Sequence, residues 1–340
     1  MKVLIPYQPI NKTDTSEGAR IRKSIKGALE LTGVRYTSSQ VDNYDVAHFF
    51  MPDDIFKASE AKNNGNLVVV SAFMAENNPQ TSFLDYKYND GEIMYTLSAK
   101  SEKLLKKADV VLIPSKECEK YLNDANIEAE TKIILPGVNL ARFDFSREDE
   151  KELFYRYYRV DKDKKLVLGV GDYETLEGIN AFYEAAKKCK DAIFYFFGQV
   201  RNPKRIPIKV MSIMKKAPKN VFFAINTNDD IYRSALLNAS ILMLPLYRYA
   251  SVVTILEAMS AKCNIVAREQ ALFEDLLENN ETAYLARFSE TLATLTRDLL
   301  EGNIKPTAIK AYEAVKKYNL KNIGEELKNC YQENLDKLGE

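Results

Sequence analysis

The chain runs through one alternation of strand and helix and then restarts it, which limits what it can fold into. Residues 3–5, 46–50, 67–70, 110–114 and 132–135 are short apolar runs rich in β-branched side chains. Between them, 19–31, 54–62, 97–108 and 116–123 carry helical periodicity. Unbroken apolar runs predict strands buried on both faces, joined by crossover helices into a parallel sheet. Pro136-Gly137-Val138-Asn139 reads as a turn, and 147–158 as a charged helix. The alternation then restarts at 165–171 and continues through 193–197, 221–224, 241–245 and 264–267, before a helical, charged end over 289–338. With 340 residues there is room for two cores. The expectation is an α/β chain of two Rossmann-like, doubly wound parallel sheets with a hinge in 136–164. Ligands of such sheets bind beyond the carboxyl ends of the strands, so the expected site is the cleft between the two.

Composition narrows the function. The chain is 46% hydrophobic and 28% charged, with no apolar run long enough to span a bilayer. Met1-Lys2-Val3-Leu4-Ile5-Pro6 is too short for a secretion leader and reads as a buried strand, so a cytoplasmic location is expected. A formal net charge of zero gives no pull towards nucleic acid, and none is expected as a partner. Residues 201–219 nevertheless carry Arg201, Lys204, Arg205, Lys209, Lys215, Lys216 and Lys219 with no acid among them. Ile206, Ile208, Val210, Ile213 and Met214 lie between these cations. Two readings stay open there. One is a peripheral contact with an anionic membrane face, worth about 1 kcal/mol per cation; the other is a helix with one core face and one solvated basic face. Cys118, Cys189, Cys263 and Cys330 are widely spaced and read as reduced thiols, neither paired nor zinc-bound. His48 is the single histidine, which excludes any mechanism needing two imidazoles. Ending an apolar strand, it reads as a satisfied core or rim residue before it reads as a base.

The stretch Leu244-Pro245-Leu246-Tyr247-Arg248-Tyr249-Ala250-Ser251-Val252-Val253-Thr254-Ile255-Leu256-Glu257-Ala258-Met259 carries the clearest site signature. A strand ends, a short loop follows, and a helix begins near Val252, whose unpaired amides and positive dipole end suit a diphosphate. Glu257 lies one turn further on, where a carboxylate can accept from ribose hydroxyls. Alone, that glutamate also reads as an ordinary solvated helix residue. The whole stretch resembles the nucleotide-sugar site of glycosyltransferase family 4, which has the GT-B fold of two Rossmann-like domains facing across a cleft. Asn264-Ile265-Val266-Ala267 resembles the family's next strand, and Pro136-Gly137-Val138-Asn139 with Phe143 resembles its interdomain crossover. Within the family, the chain is most similar to bacterial glycolipid hexosyltransferases. The resemblance implies domains of 1–160 and 161–319, with the helix of 320–340 crossing back to the first and a second hinge at 318–322.

The resemblance further implies transfer of a hexose, with retention, from a nucleotide sugar (a UDP-sugar) to a lipid or glycan acceptor. No metal or other cofactor is implied. Ser251, Val252, Val253 and Thr254 would hold the phosphates and Glu257 the ribose, with Gly18, Gly171 and Arg248 beside the nucleotide. Glu76 and Tyr249 fall at catalytic positions. The family also implies work at the inner face of the cell membrane.

Three sites depart from the pattern. Tyr249 stands where the family has a carboxylate, Ala72 where it has a histidine, and Asp172 and Glu177 where an Arg and a Lys neutralise the diphosphate. Opposite charges ~4 Å apart gain roughly 4 kcal/mol at an effective dielectric near 20, and like charges lose as much. Binding therefore needs a replacement cation, and Arg248, Lys262, Arg268 and Arg20 are the candidates. The alternative is a catalytically inactive pseudo-glycosyltransferase that keeps the fold as a binding or regulatory partner.

Overall fold

The structure, a computed structural model, describes residues 1–6, 17–73, 83–89, 92–143, 148–173, 177–199, 206–225, 227–246, 251–270 and 273–339. The first sheet collects β1 (Lys2–Leu4), β2 (Arg35–Thr37), β3 (Val46–Phe49) and β4 (Leu67–Ser71). After a separate antiparallel hairpin, β5 (Leu84–Asn89) and β6 (Glu92–Leu97), it is completed by β7 (Val110–Ile113) and β8 (Glu130–Ile133). Its order is β2-β1-β3-β4-β7-β8, with every pairing parallel.

The second sheet takes β9 (Leu166–Asp172), β10 (Ile193–Gln199), β11 (Val221–Ile225), β12 (Ala239–Leu244), β13 (Asn264–Arg268) and β14 (Tyr284–Ala286). Its order is β11-β10-β9-β12-β13-β14, again all parallel. Two doubly wound sheets are therefore present, as the alternation of apolar runs predicts.

Helices cover both sheets. The first half carries α1 (Glu17–Leu31), α2 (Ile55–Asn63), α3 (Ala99–Leu105) and α4 (Cys118–Asp124). Where one charged helix was expected over 147–158, the chain forms two short ones, α5 (Glu148–Lys151) and α6 (Leu153–Tyr158), with Glu152 between them. The second half carries α7 (Glu177–Lys188), α8 (Ile208–Lys215), α9 (Asp229–Asn238), α10 (Val252–Ser260), α11 (Ser289–Glu301), α12 (Ala308–Val315) and α13 (Leu320–Gly339).

Helix α13 lies on α1, at the first sheet. Its buried residues Ile323, Leu327, Cys330, Tyr331 and Asn334 recur at helical spacing and give it one inward face. Gly324 sits where the two helices touch: a Cβ there would run into the Ala28 carbonyl and would reach Thr32 Cγ2 at 2.7 Å. The approach is possible only because position 324 has no side chain. At the other end of the interface, Tyr331 places its hydroxyl 2.7 Å from His48 Nδ1, and Ser71 Oγ lies 2.7 Å from Nε2. His48 is fully buried and stacks on Phe50 at a centroid distance of 4.4 Å. Burial pushes its pKa down to about 3, so it is a neutral, fully bonded core residue.

The two expected hinge segments lie side by side. Val138 donates its amide to the Tyr318 carbonyl at 2.9 Å and forms a bridge with Asn319. Gly137 leaves only 3.1 Å between an added Cβ and Leu320 Cδ2. The chain thus crosses between its halves twice at one point.

Candidate active site in the interlobe cleft

Strand order reverses at β9 and β12 in the second sheet, and a crevice opens beyond their carboxyl ends. Helix α10 starts there. Ser251 is its N-cap: the backbone is extended, and the side-chain oxygen accepts from the Thr254 amide at 3.1 Å. The cap therefore takes up one of the amides expected to meet phosphate, Thr254, and leaves Val252 and Val253 at the first turn. All nine residues of α10 are buried, so its position is fixed by packing on every side.

From the facing lobe, α1 directs Arg20 into the same place. Its apolar residues Ile21, Ile25, Ala28 and Leu29 fall at i, i+4, i+7 and i+8 and are buried. The cleft-facing surface then carries Arg20, Lys23, Ser24 and Gly27. Arg20 Nη1 pairs with Glu257, and Nη2 donates to Thr254 Oγ1 at 2.7 Å. Arg20 also sits over the Tyr232 ring, with Cζ 5.5 Å from the centroid. Side-chain exposures of 11% and 7% make Arg20 and Glu257 a nearly dry ion pair that spans the two lobes. Burial raises the Glu257 carboxyl above its ordinary range, and the Arg20 guanidinium offsets part of that rise.

A second cross-cleft contact lies close by. Asp229, at the start of α9, accepts from Arg142 at 2.7 Å and pairs with Lys23 at 3.5 Å. Burial pushes its pKa up, but Arg142 and Lys23 outweigh it and hold the carboxyl below its ordinary range. Elsewhere along the cleft, the Lys116 amide donates to Asp275 at 2.8 Å. The remaining space is a cavity of about 500 Å3, walled by α1, the 137–143 crossover, and Val253 and Glu257 of α10. Its size is in the range of small-molecule sites.

The residues expected at the site fall into three groups. Ser251, Val252, Val253, Thr254 and Glu257 come together at the head of α10. Gly18 is buried in the first turn of α1. Gly171 lies in β9, where an added Cβ would meet the Phe196 ring at 2.9 Å and Leu246 at 3.0 Å, so packing alone demands a glycine. Glu76, Tyr249 and Arg248 lie outside the described residues, as do the side chains of Asp172 and Glu177.

The candidate cations separate clearly. Arg268 is buried and donates to the Pro245 carbonyl at 3.2 Å, to the Arg287 carbonyl and to Ser289 Oγ at 2.9 Å, which makes it a clasp between loops. Lys262 rests on the Tyr312 ring at 4.6 Å. Arg20 is the candidate that reaches the carboxylate expected to hold ribose. Tyr232, Asp229 and Arg142 complete the cluster and were not singled out from the sequence. The Asn228-Asp229-Asp230 start of α9 carried only the signature of a helix cap, which Asn228 indeed forms by accepting from the Asp230 amide at 2.7 Å.

Two six-stranded parallel sheets with a ligand-sized cleft between them define a GT-B protein. Anabaena Alr3699/HepE, solved in complex with UDP-glucose, superposes with a TM-score of 0.70 at 13% identity, covering 98% of this chain and 99% of that one. Residues 151–318 match the family model for glycosyl transferases group 1, and the chain is similar over its length to a bacterial glycolipid glycosyltransferase. It is 22% identical over 342 residues to the processive diacylglycerol alpha-glucosyltransferase of Acholeplasma laidlawii, covering 98% of each. A shorter match, 26% over 150 residues and 43% of this chain, is to the alpha-galactosylglucosyldiacylglycerol synthase of Streptococcus pneumoniae (strain ATCC BAA-255 / R6), of which it covers 38%.

Proposed function

We propose that the protein transfers a hexose, with retention, from a UDP-sugar to a diacylglycerol-type lipid acceptor in the interlobe cleft. The observation that carries this reading is the placement of Glu257 and the head of α10 at the strand-order reversal, facing a cavity of about 500 Å3. In this reading Glu257 accepts from the ribose hydroxyls, and the amides of Val252 and Val253 meet the diphosphate. Donors fixed in a dry cleft stabilise the charge that grows on the leaving diphosphate, which is where such a transferase gains most of its rate. Glu76 and Tyr249 are assigned to the sugar and acceptor side. The lobes are taken as 1–160 with 320–340, and 161–319.

A membrane contact is proposed at α8. This helix buries Val210 yet leaves Ile208 and Met211 exposed beside Lys209, Lys215 and Lys216. The arrangement combines apolar and cationic groups suited to an anionic lipid face. Among the described residues no helix is long and apolar enough to cross a membrane. Incubation with UDP-glucose and vesicles of diacylglycerol and phosphatidylglycerol should yield a glycolipid by mass spectrometry. Binding of UDP without transfer to any lipid or glycan acceptor would instead describe a binding-only relative.

A further inference from the structure

We propose that Arg20 is the cation that meets the donor's diphosphate, paired with Glu257 until ribose takes over that carboxylate. The inference rests on the nucleotide-sugar reading above and assigns the charge that reading needs.

Three observations carry it. First, Arg20 reaches across the cleft to the first turn of α10, where its Nη2 donates to Thr254 Oγ1 at 2.7 Å. The guanidinium is therefore already at the helix end suited to a phosphate, where both partial and full positive charge accumulate. Second, its counter-ion is Glu257, the group assigned to ribose. A carboxylate accepting from two ribose hydroxyls has less to offer a guanidinium, and a guanidinium in a fork geometry pairs with phosphate as readily as with carboxylate. One ligand thus supplies both replacements, ribose for Glu257 and diphosphate for Arg20. Third, the platform that would carry this movement is in place. Tyr232 lies beneath Arg20, more than nine-tenths buried, and its hydroxyl faces Thr254, Arg20 and Glu257 without a hydrogen bond of ordinary geometry among the described residues. The sequence also places acids, Asp172 and Glu177, at the end of β9 and the start of α7.

The test is calorimetric titration of the full chain with UDP and with uridine, which differ by the diphosphate. Arg20→Gln should weaken UDP binding by about ten- to a hundredfold and leave uridine binding no weaker than about twofold below the wild type. Arg20→Lys keeps a charge beside Glu257, so the fold is safe, and should give the same pattern at about three- to tenfold. Adding Asp172→Arg and Glu177→Lys to Arg20→Gln should recover most of the UDP affinity. Equal weakening of UDP and uridine would make Arg20 a clamp between the lobes and overturn the proposal. An Arg20→Gln protein that binds UDP like the wild type would overturn it while leaving the nucleotide-sugar reading intact. A wild type that binds neither compound would overturn both.

Discussion

His48 and Glu257 are both buried polar residues on elements whose neighbours are apolar, and the molecule treats them in opposite ways. His48 finds its partners on its own side: Ser71 on the adjacent strand and Tyr331 on the helix docked over it. Nothing about that cluster changes unless the first lobe opens. Glu257 finds its partner across the cleft, on α1 of the facing lobe. Any domain movement, or any ligand with hydrogen-bond donors, competes for it. A buried polar group satisfied within one lobe belongs to the fold, whereas one satisfied across a cleft can exchange its partner for substrate. Both side chains are buried, so burial by itself does not tell them apart.

The sharpest way to break this comparison is to remove the histidine. His48→Ala leaves a cavity and strips two buried hydroxyls of their partner, at a cost of about 3–4 kcal/mol. A urea melt should show that loss, while the folded variant should bind UDP within about twofold of the wild type. A large loss of UDP affinity would mean that the two clusters are coupled.

The same histidine gives a pH test. Its pKa is about 3 when folded, against roughly 6.5 in an unfolded chain. Between those values the unfolded state holds a proton that the folded state refuses, so stability is complete above about 6.5 and falls as pH drops. By pH 5 the loss should be about 2 kcal/mol, approaching 1.4 kcal/mol per further unit. Thermal melts over pH 5 to 7.5 should show that slope, and His48→Gln should flatten it. With a single histidine in the chain, no second imidazole can mask the result.

A smaller effect belongs to the cleft side. Ser251→Ala removes the cap on the Thr254 amide and should cost about 1 kcal/mol of stability. Because the cap holds the first turn of α10, UDP should bind a few-fold more weakly as well, measured by calorimetry. Stability lost with UDP affinity unchanged would separate the head of α10 from the nucleotide site.

Much of the fold was legible because its central strands, β3, β4, β7, β12 and β13 among them, are short apolar runs buried almost throughout. What escaped had weaker chemistry. β2 and β14 are three residues each at sheet edges, too short for a pattern. The β5–β6 hairpin mixes polar and aromatic residues and lacks the apolar run that marks a buried strand. The edge strand β8 lies two residues earlier than expected, at Glu130–Ile133, since edge pairing does not need the apolar run at 132–135. In the site, Glu257 and its helix were legible through their motif. Arg20 was one of four candidate cations and Arg248 was the one adjacent to the motif in sequence, because which helix faces the cleft is decided by tertiary packing that sequence spacing does not encode. The aromatic platform of Tyr232 carried no local signal at all.

The central claim is that Glu257 is exchangeable and that ribose is what it exchanges for. The most direct measurement compares UDP with its 2′,3′-dideoxy analogue by calorimetry, in the wild type and in Glu257→Gln. Two hydrogen bonds to a charged acceptor lose roughly 2 kcal/mol or more when the hydroxyls are absent, which is about thirtyfold in affinity. The wild type should therefore prefer UDP by about thirtyfold, and Glu257→Gln should reduce that preference to about threefold or less. The same preference in both proteins would show that ribose is held elsewhere and that the Arg20–Glu257 pair is only a brace between the lobes.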